Sequence, residues 1–166
     1  MTRYRRSLVP GATWFFTVAL ADRTSALLTD EISLLRQSCR EVANRYPFST
    51  IAVCILPEHL HAIWQLPPGD ANYSLRWSLI KRFFSQHFPS RAAPGSSKAK
   101  KREKHIWQRR FWEHQIRDDA DLQAHVDYIH NNPVRHGLVS RAANWPYSSF
   151  HCFVQKELVP ADWGVE

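Results

Sequence analysis

Between Ser49 and Leu66 two runs rich in Val, Ile and Trp, STIAVCIL and HLHAIWQL, are parted only by Pro57 and Glu58. Each run reads as a strand, and so short a connection fits a hairpin or a bent strand pair. An antiparallel pair is therefore expected in the middle of the chain, and the flanking segments must build around it. Trp14 to Leu20 reads as a further strand. Asp30 to Tyr46 reads as a helix, with Ile32, Leu35, Cys39 and Val42 on one face and Pro47 beyond its end. Tyr73 to His87 is helical in pattern, and Ile106 to Ile116 reads as a strand. Asp118 or Asp119 can cap a last helix from Ala120 to about Asn132, where Pro133 is expected to stop it.

The order strand, helix, strand, strand, helix, strand, helix predicts an α+β fold. The expected form is a ferredoxin-like sandwich, a central antiparallel sheet with helices on one face. The 166 residues suit one domain,. It is expected over residues 1–150, with residues 151–166 as a tail of unassigned role. PSRAAPGSSKAKKREK, from Pro89 to Lys104, reads as a flexible basic loop at about residues 89–105, inserted within the fold,.

Hydrophobic residues make up 44% of the chain, enough for a core, yet no apolar run approaches the roughly 20 residues of a membrane span,. The N-terminus is basic and then apolar in the manner of a signal peptide, but Pro10, Gly11 and Trp14 interrupt it, and a strand entering the core explains it better. Cys39, Cys54 and Cys152 are odd in number and have no metal-binding spacing, which predicts reduced thiols in a cytoplasmic protein,.

The net charge of +7 is unevenly spread. From Ala71 to Arg110 eleven Lys and Arg face the single acid Glu103, with Trp77, Phe83, Phe84 and Trp107 interleaved and Phe111 and Trp112 directly after. Such a block attracts phosphate backbones through counterion release, and its aromatics offer stacking faces to unpaired bases. Arg76, Lys81, Arg82, Lys100, Lys101, Arg102, Arg109 and Arg110 are the candidate DNA contacts here, joined by Arg3, Arg5 and Arg6 at the N-terminus. A solvated basic loop beside ordinary core aromatics has the same composition.

On a strand, His59 and His61 project from one face while Leu60 points to the other, so both imidazoles can reach one cation. The spacing permits a metal without requiring one, since nine histidines in 166 residues make one His-x-His pair unsurprising,. The last helix offers a possible third ligand. Asp121, His125, Tyr128 and Asn132 follow one another along one edge of its apolar stripe, so the Asn132 amide and the Tyr128 phenol lie one turn apart. A tyrosine at a core rim and an asparagine near a helix end would look the same.

HLH on a central strand, followed by YIHNNPVRHGLV on a later helix in a basic single domain, resembles the REP-associated tyrosine transposases. These are relatives of the small insertion-sequence transposases within the His-hydrophobic-His nucleases. YRRSLVPGATWFFTVAL, LPEHLHAIWQL, IWQRRFWEHQIRDDADLQAHVDYIHNNPVRHGLV and WPYSSF occur in the family's order, so the resemblance covers most of the chain. It implies that His59 and His61 are metal ligands, that Asn132 is the third ligand in the place of a glutamine in related enzymes, and that Tyr128 is the nucleophile. It further implies an endonuclease and strand transferase that uses Mg²⁺ or Mn²⁺. Its partner would be single-stranded DNA with REP-like palindromic hairpins, handled at the bacterial nucleoid. Two other readings of the residues stand beside it: a non-catalytic nucleic-acid-binding module, and a phosphodiesterase that activates water with Tyr128 only positioning the substrate.

Overall fold

The structure is a computed structural model that describes residues 6–89 and 104–164. Four strands, β1 (Thr13–Ala19), β2 (Ser49–Ile55), β3 (His59–Gln65) and β4 (Trp112–Gln115), form one sheet in the order β2-β3-β1-β4. All neighbours are antiparallel, and β2 and β3 form the hairpin across Pro57 and Glu58. This is the ferredoxin-like order.

Alternation sorts β1 and β3 into two cores. Trp14, Phe16 and Val18 of β1 and Leu60, Ala62 and Trp64 of β3 face α2 (Ile32–Arg45) and α3 (Tyr73–Ser85), which follow the short α1 (Leu27–Asp30). Leu35 and Val42 from α2 and Tyr73, Trp77, Ile80 and Phe84 from α3 close this core, and the indoles of Trp64 and Trp77 stack at 4.0 Å. The two sandwich helices thus share one face, as the ferredoxin-like expectation has it. Phe15, Ala52, Cys54 and Ile63 face the other way, where Val126 and Ile129 of α4 (Asp119–Arg135) cover them. Helix order alone does not say which face a helix takes, and α4 takes the one that carries His59 and His61.

Asp118 caps α4, its carboxylate accepting from the Asp121 N–H,. Pro133 does not end the helix: α4 continues to Arg135 with the proline inside it. The stop is Gly137, at φ +69, where the N–H groups of Gly137 and Leu138 bond the carbonyls of Val134 and Pro133. That left-handed residue suits glycine, and it closes the helix four positions after the proline.

The expected strand over Ile106 to Ile116 is shortened to Trp112–Gln115, with only a lone bridge between Leu20 and Trp107 before it. Ile106 and Trp107 are buried as loop residues against the first core, which explains their strand-like composition. Beyond α4, the segment Tyr147–Ser149 lies along the outer edge of β2: Ile55 N–H bonds Tyr147 O, and Ser149 N–H bonds Val53 O. Helix α5 (Phe150–Gln155) runs across the expected boundary at residue 150, with Phe150 fully buried and Phe153 packed on the second core. No helix among the described residues is long and apolar enough to cross a membrane.

Candidate active site

Both histidines of the HLH motif are buried at 3% exposure, on the α4 face of the sheet. Their rings meet edge to face with centroids 4.9 Å apart. His59 Nδ1 lies 2.7 Å from Glu58 Oε1. A carboxylate can only accept, so Nδ1 donates and the lone pair sits on Nε2. His61 Nδ1 lies 2.9 Å from Thr17 Oγ1, its cross-strand partner on β1. Burial, followed by the neighbouring His59 and His136, pushes the His61 imidazole down to about 3. His59 is lowered as well, by burial first, with Glu58 opposing. Both rings are therefore neutral at pH 7, the form that has a lone pair to give.

Helix α4 carries Tyr128 and Asn132 on the side that faces β3. The Tyr128 ring stands edge-on to His61 at 5.2 Å and to Phe15 at 5.9 Å. Asn132 is 1% exposed, and its amide acts to raise the His61 pKa, so the two side chains are close. Yet neither Oδ1 nor Nδ2 of Asn132 meets hydrogen-bond geometry with any partner, and neither does His61 Nε2. An unpaired buried polar group costs about 1–3 kcal/mol, and two of these atoms, His61 Nε2 and Asn132 Oδ1, have a lone pair to give,. A divalent cation fits this donor set of imidazole nitrogen and amide oxygen. The expected residues His59, His61, Tyr128 and Asn132 are thus brought together.

Several neighbours escaped the sequence reading. Glu58 immediately precedes the motif, and Thr17 shares the β1 face with Phe15. Arg135, seven residues after Tyr128, holds its guanidinium 5.2 Å from the Tyr128 ring centroid. His136, one turn after Asn132, is exposed, with its ring 5.1 Å from that of His59. A second cluster adjoins the first: ligand atoms of His114, Asp121 and His125 lie within 4.8 Å of one another, a grouping able to hold a metal ion. Asp121 and His125 stand on the helix edge expected from their spacing, whereas nothing in the sequence marked His114 as their neighbour.

The basic candidates divide. Arg76 is not a surface residue: it is 1% exposed and forms a two-pronged ion pair with Asp70, at 3.2 and 2.7 Å. It also donates to the carbonyls of Tyr46, Pro47 and Asn72, tying the α2 end to the α3 start. A guanidinium with its donors committed inside the fold has none left for DNA. Arg6, Lys81, Arg82 and Arg109 do share a groove of about 550 Å³ with Lys104. There Arg6 lies over the Phe111 ring at 3.9 Å, and Lys81 donates to Gln108 O. Arg110 is exposed beside it. Arg3, Arg5, Lys100, Lys101 and Arg102, with the rest of the loop from 90 to 103, lie outside the described residues.

The family model for IS200-like transposases matches residues 14–132, from β1 through Asn132. The chain belongs to that family. It is 48% identical over 165 residues to a Haemophilus influenzae protein described as a REP-associated tyrosine transposase, covering 99% of this chain and 94% of the relative. It is 46% identical to the REP-associated tyrosine transposase of Escherichia coli, covering 98% and 91%. A solved structure described as the REP-associated tyrosine transposase bound to a REP hairpin superposes with a TM-score of 0.87 at 44% identity, covering 100% of this chain and 93% of that one. This tyrosine transposase therefore shares both sequence and architecture with the REP-associated members over nearly its whole length.

Proposed function

We propose that this transposase nicks and rejoins single-stranded DNA at REP-like palindromic hairpins, with Tyr128 as nucleophile and His59, His61 and Asn132 holding Mg²⁺ or Mn²⁺. The observation that carries the reading is the convergence of His61 Nε2 and Asn132 Oδ1, buried lone-pair atoms without a hydrogen-bond partner, beside the Tyr128 ring. Two imidazoles and an amide form a neutral, incomplete ligand set that leaves positions for phosphate oxygens and water. When bound, such a cation supplies Lewis-acid stabilisation of charge on the non-bridging oxygens.

The chain's own residues account for the rest. Helix α4 holds the phenol against Phe15 and His61, which fixes its approach to a phosphate at the histidines,. The Tyr128 oxygen attacks phosphorus, the bond to the 3′ oxygen breaks, the phenolic proton leaves, and the 3′ oxygen takes up a proton. The products are a 5′-phosphotyrosyl strand and a free 3′-hydroxyl. The reverse attack by a 3′-hydroxyl rejoins strands, because the phosphotyrosyl ester keeps the energy of the broken bond. Arg135, over the Tyr128 ring, brings a positive charge to the strand being cut. The groove of Arg6, Lys81, Arg82, Lys104 and Arg109 lies by α3 and serves the phosphate backbone of the paired hairpin,. A chain that acts on chromosomal palindromes works in the cytoplasm, at the nucleoid.

The test is a hairpin oligonucleotide labelled at its 3′ end and incubated with Mg²⁺ or Mn²⁺. The expected result is a protein–DNA band that survives denaturation and maps to Tyr128, and that vanishes in Tyr128→Phe without loss of DNA affinity. Cleavage that leaves a free 5′ phosphate and no adduct would instead mean activated water, and binding without cleavage would mean a recognition module.

A further inference from the structure

Beside Tyr128 the sheet presents a feature that the cutting reaction leaves unexplained. Trp112 is 56% exposed although it sits in β4, opposite Thr17. Thr17 in turn faces His61, so Trp112, Thr17 and His61 form one row across three strands. That puts the indole two strand spacings, roughly 10 Å, from the His61 backbone. Its plane is parallel to the His114 ring within 5°, with centroids 6.0 Å apart, and His114 stacks on His125 at 4.7 Å and 14°. A cleft of about 400 Å³ opens between the indole and the nucleophile, lined by Phe15, Thr17, Trp112, Ala124, His125 and Tyr128.

What holds this stack is Asp121. His114 Nε2 lies 2.9 Å from Asp121 Oδ2, and His125 Nδ1 lies 3.1 Å from Oδ1 and 2.8 Å from the Asp121 carbonyl. The Arg117 N–H also donates to Oδ2. His114 Nε2 thus donates to the Asp121 carboxylate, which can only accept and is shared with the Arg117 N–H, while His125 Nδ1 donates to the Asp121 carbonyl with the carboxylate alongside,. A cation at this cluster would have to displace those bonds, so the trio is satisfied as a brace for the rings.

We infer that the cleft between Trp112 and Tyr128 is a subsite for one unpaired nucleobase next to the cut phosphodiester. Trp112 is its stacking face, and Asp121 is a positioning residue acting through His114 and His125. The inference rests on the reading of Tyr128 as nucleophile, since that fixes where the strand passes. An unpaired base is the occupant because the lining offers aromatic faces in reach of the reacting phosphate and no carboxylate turned into the cleft, and every base has a π-face to stack,.

The test measures equilibrium binding in EDTA, so that it reads the subsite whether or not any adduct forms. The probe is a hairpin oligonucleotide with single-stranded flanks, in a series with one abasic site at each unpaired position. Wild type should lose about tenfold in affinity at one position beside the cut. Trp112→Ala should lose about the same with the intact oligonucleotide and nothing more at that abasic position, whereas Trp112→Phe should stay within about threefold of wild type. Asp121→Asn should lower the penalty at that position and at no other. An unchanged affinity in Trp112→Ala, or abasic penalties that persist in full in that variant, would overturn the subsite. A second equivalent of bound Mn²⁺ or Zn²⁺ per chain that is lost in Asp121→Asn would overturn the brace in favour of a metal centre. Absence of the Tyr128 adduct in wild type would count against the nucleophile and leave this binding result to stand separately.

Discussion

Replacing Glu58 by Ala isolates what a neighbouring carboxylate does for a buried histidine. The 2.7 Å contact joins a side chain that is 17% exposed to an imidazole that is 4% exposed, so little solvent can take over the lost bond. Glu58 fixes the His59 proton on Nδ1 and raises its basicity, against the burial that lowers it. On the proposed role of His59, loss of the carboxylate leaves a poorer and less oriented ligand. Loss of such a partner weakens metal affinity by about 10- to 100-fold, roughly 1.4–2.8 kcal/mol. The fold should hold, because Leu20 N–H bonds the Glu58 carbonyl rather than the side chain, and the Arg23 pair is half exposed and contributes little,. Titrating Mn²⁺ while measuring nicking should move the midpoint up by that factor and restore nearly the wild-type rate at saturation. Electron paramagnetic resonance of free Mn²⁺ should show the same shift in binding without any DNA present. An unmoved midpoint in both measurements, or a rate that saturating metal fails to restore, would refute the link from Glu58 through His59 to the cation.

Three further outcomes follow from the basic side chains. Neutralising Lys81, Arg82, Lys104 and Arg109 together should flatten the salt dependence of hairpin binding by up to about four in the logarithmic slope, read by anisotropy at several salt concentrations. Burial, then the charge of Arg6, pulls Lys81 down to about 8, so its positive charge is present at pH 7 and lost as pH rises through that value. Hairpin affinity should therefore weaken between pH 7 and 9, and Lys81→Arg should remove most of that trend, since guanidinium stays charged. Arg76→Met should leave the salt slope unchanged while destabilising the fold by about 3 kcal/mol in urea, the low end for a broken buried pair because the Asp70 side chain is one-third exposed,.

The parts of this architecture that local pattern decides were readable in the sequence. The β2–β3 hairpin, the α2 and α3 stripes and the shared face of His59 and His61 depend on periodicity and on a two-residue connection, all of which are local. The Tyr128–Asn132 pairing needed only helical spacing. The misreadings came where tertiary context overrode composition. Ile106 and Trp107 look like strand residues because a core buries them and one bridge pairs Trp107 with Leu20, yet no continuous ladder follows. Pro133 looks like a stop because a proline removes one N–H, yet the helix runs on until Gly137 supplies a left-handed closure. Arg76 belongs by charge to a basic block, but an acid six residues earlier and three backbone carbonyls draw it inside. Glu58, Thr17 and His114 matter through neighbours on other strands or through the ring they orient, and single-residue chemistry does not mark such partners.

The strip from Tyr147 to Ser149 has a bearing on how copies of this chain meet. By occupying the Ile55 and Val53 positions on the outer side of β2, it covers the end of the open ladder on which a second chain would add a strand,. Among the described residues the other margin of the sheet is β4, only four residues long. Sheet extension is thus curtailed at both margins, a protection against edge-to-edge aggregation for a molecule that would gather in numbers on repeated DNA sites.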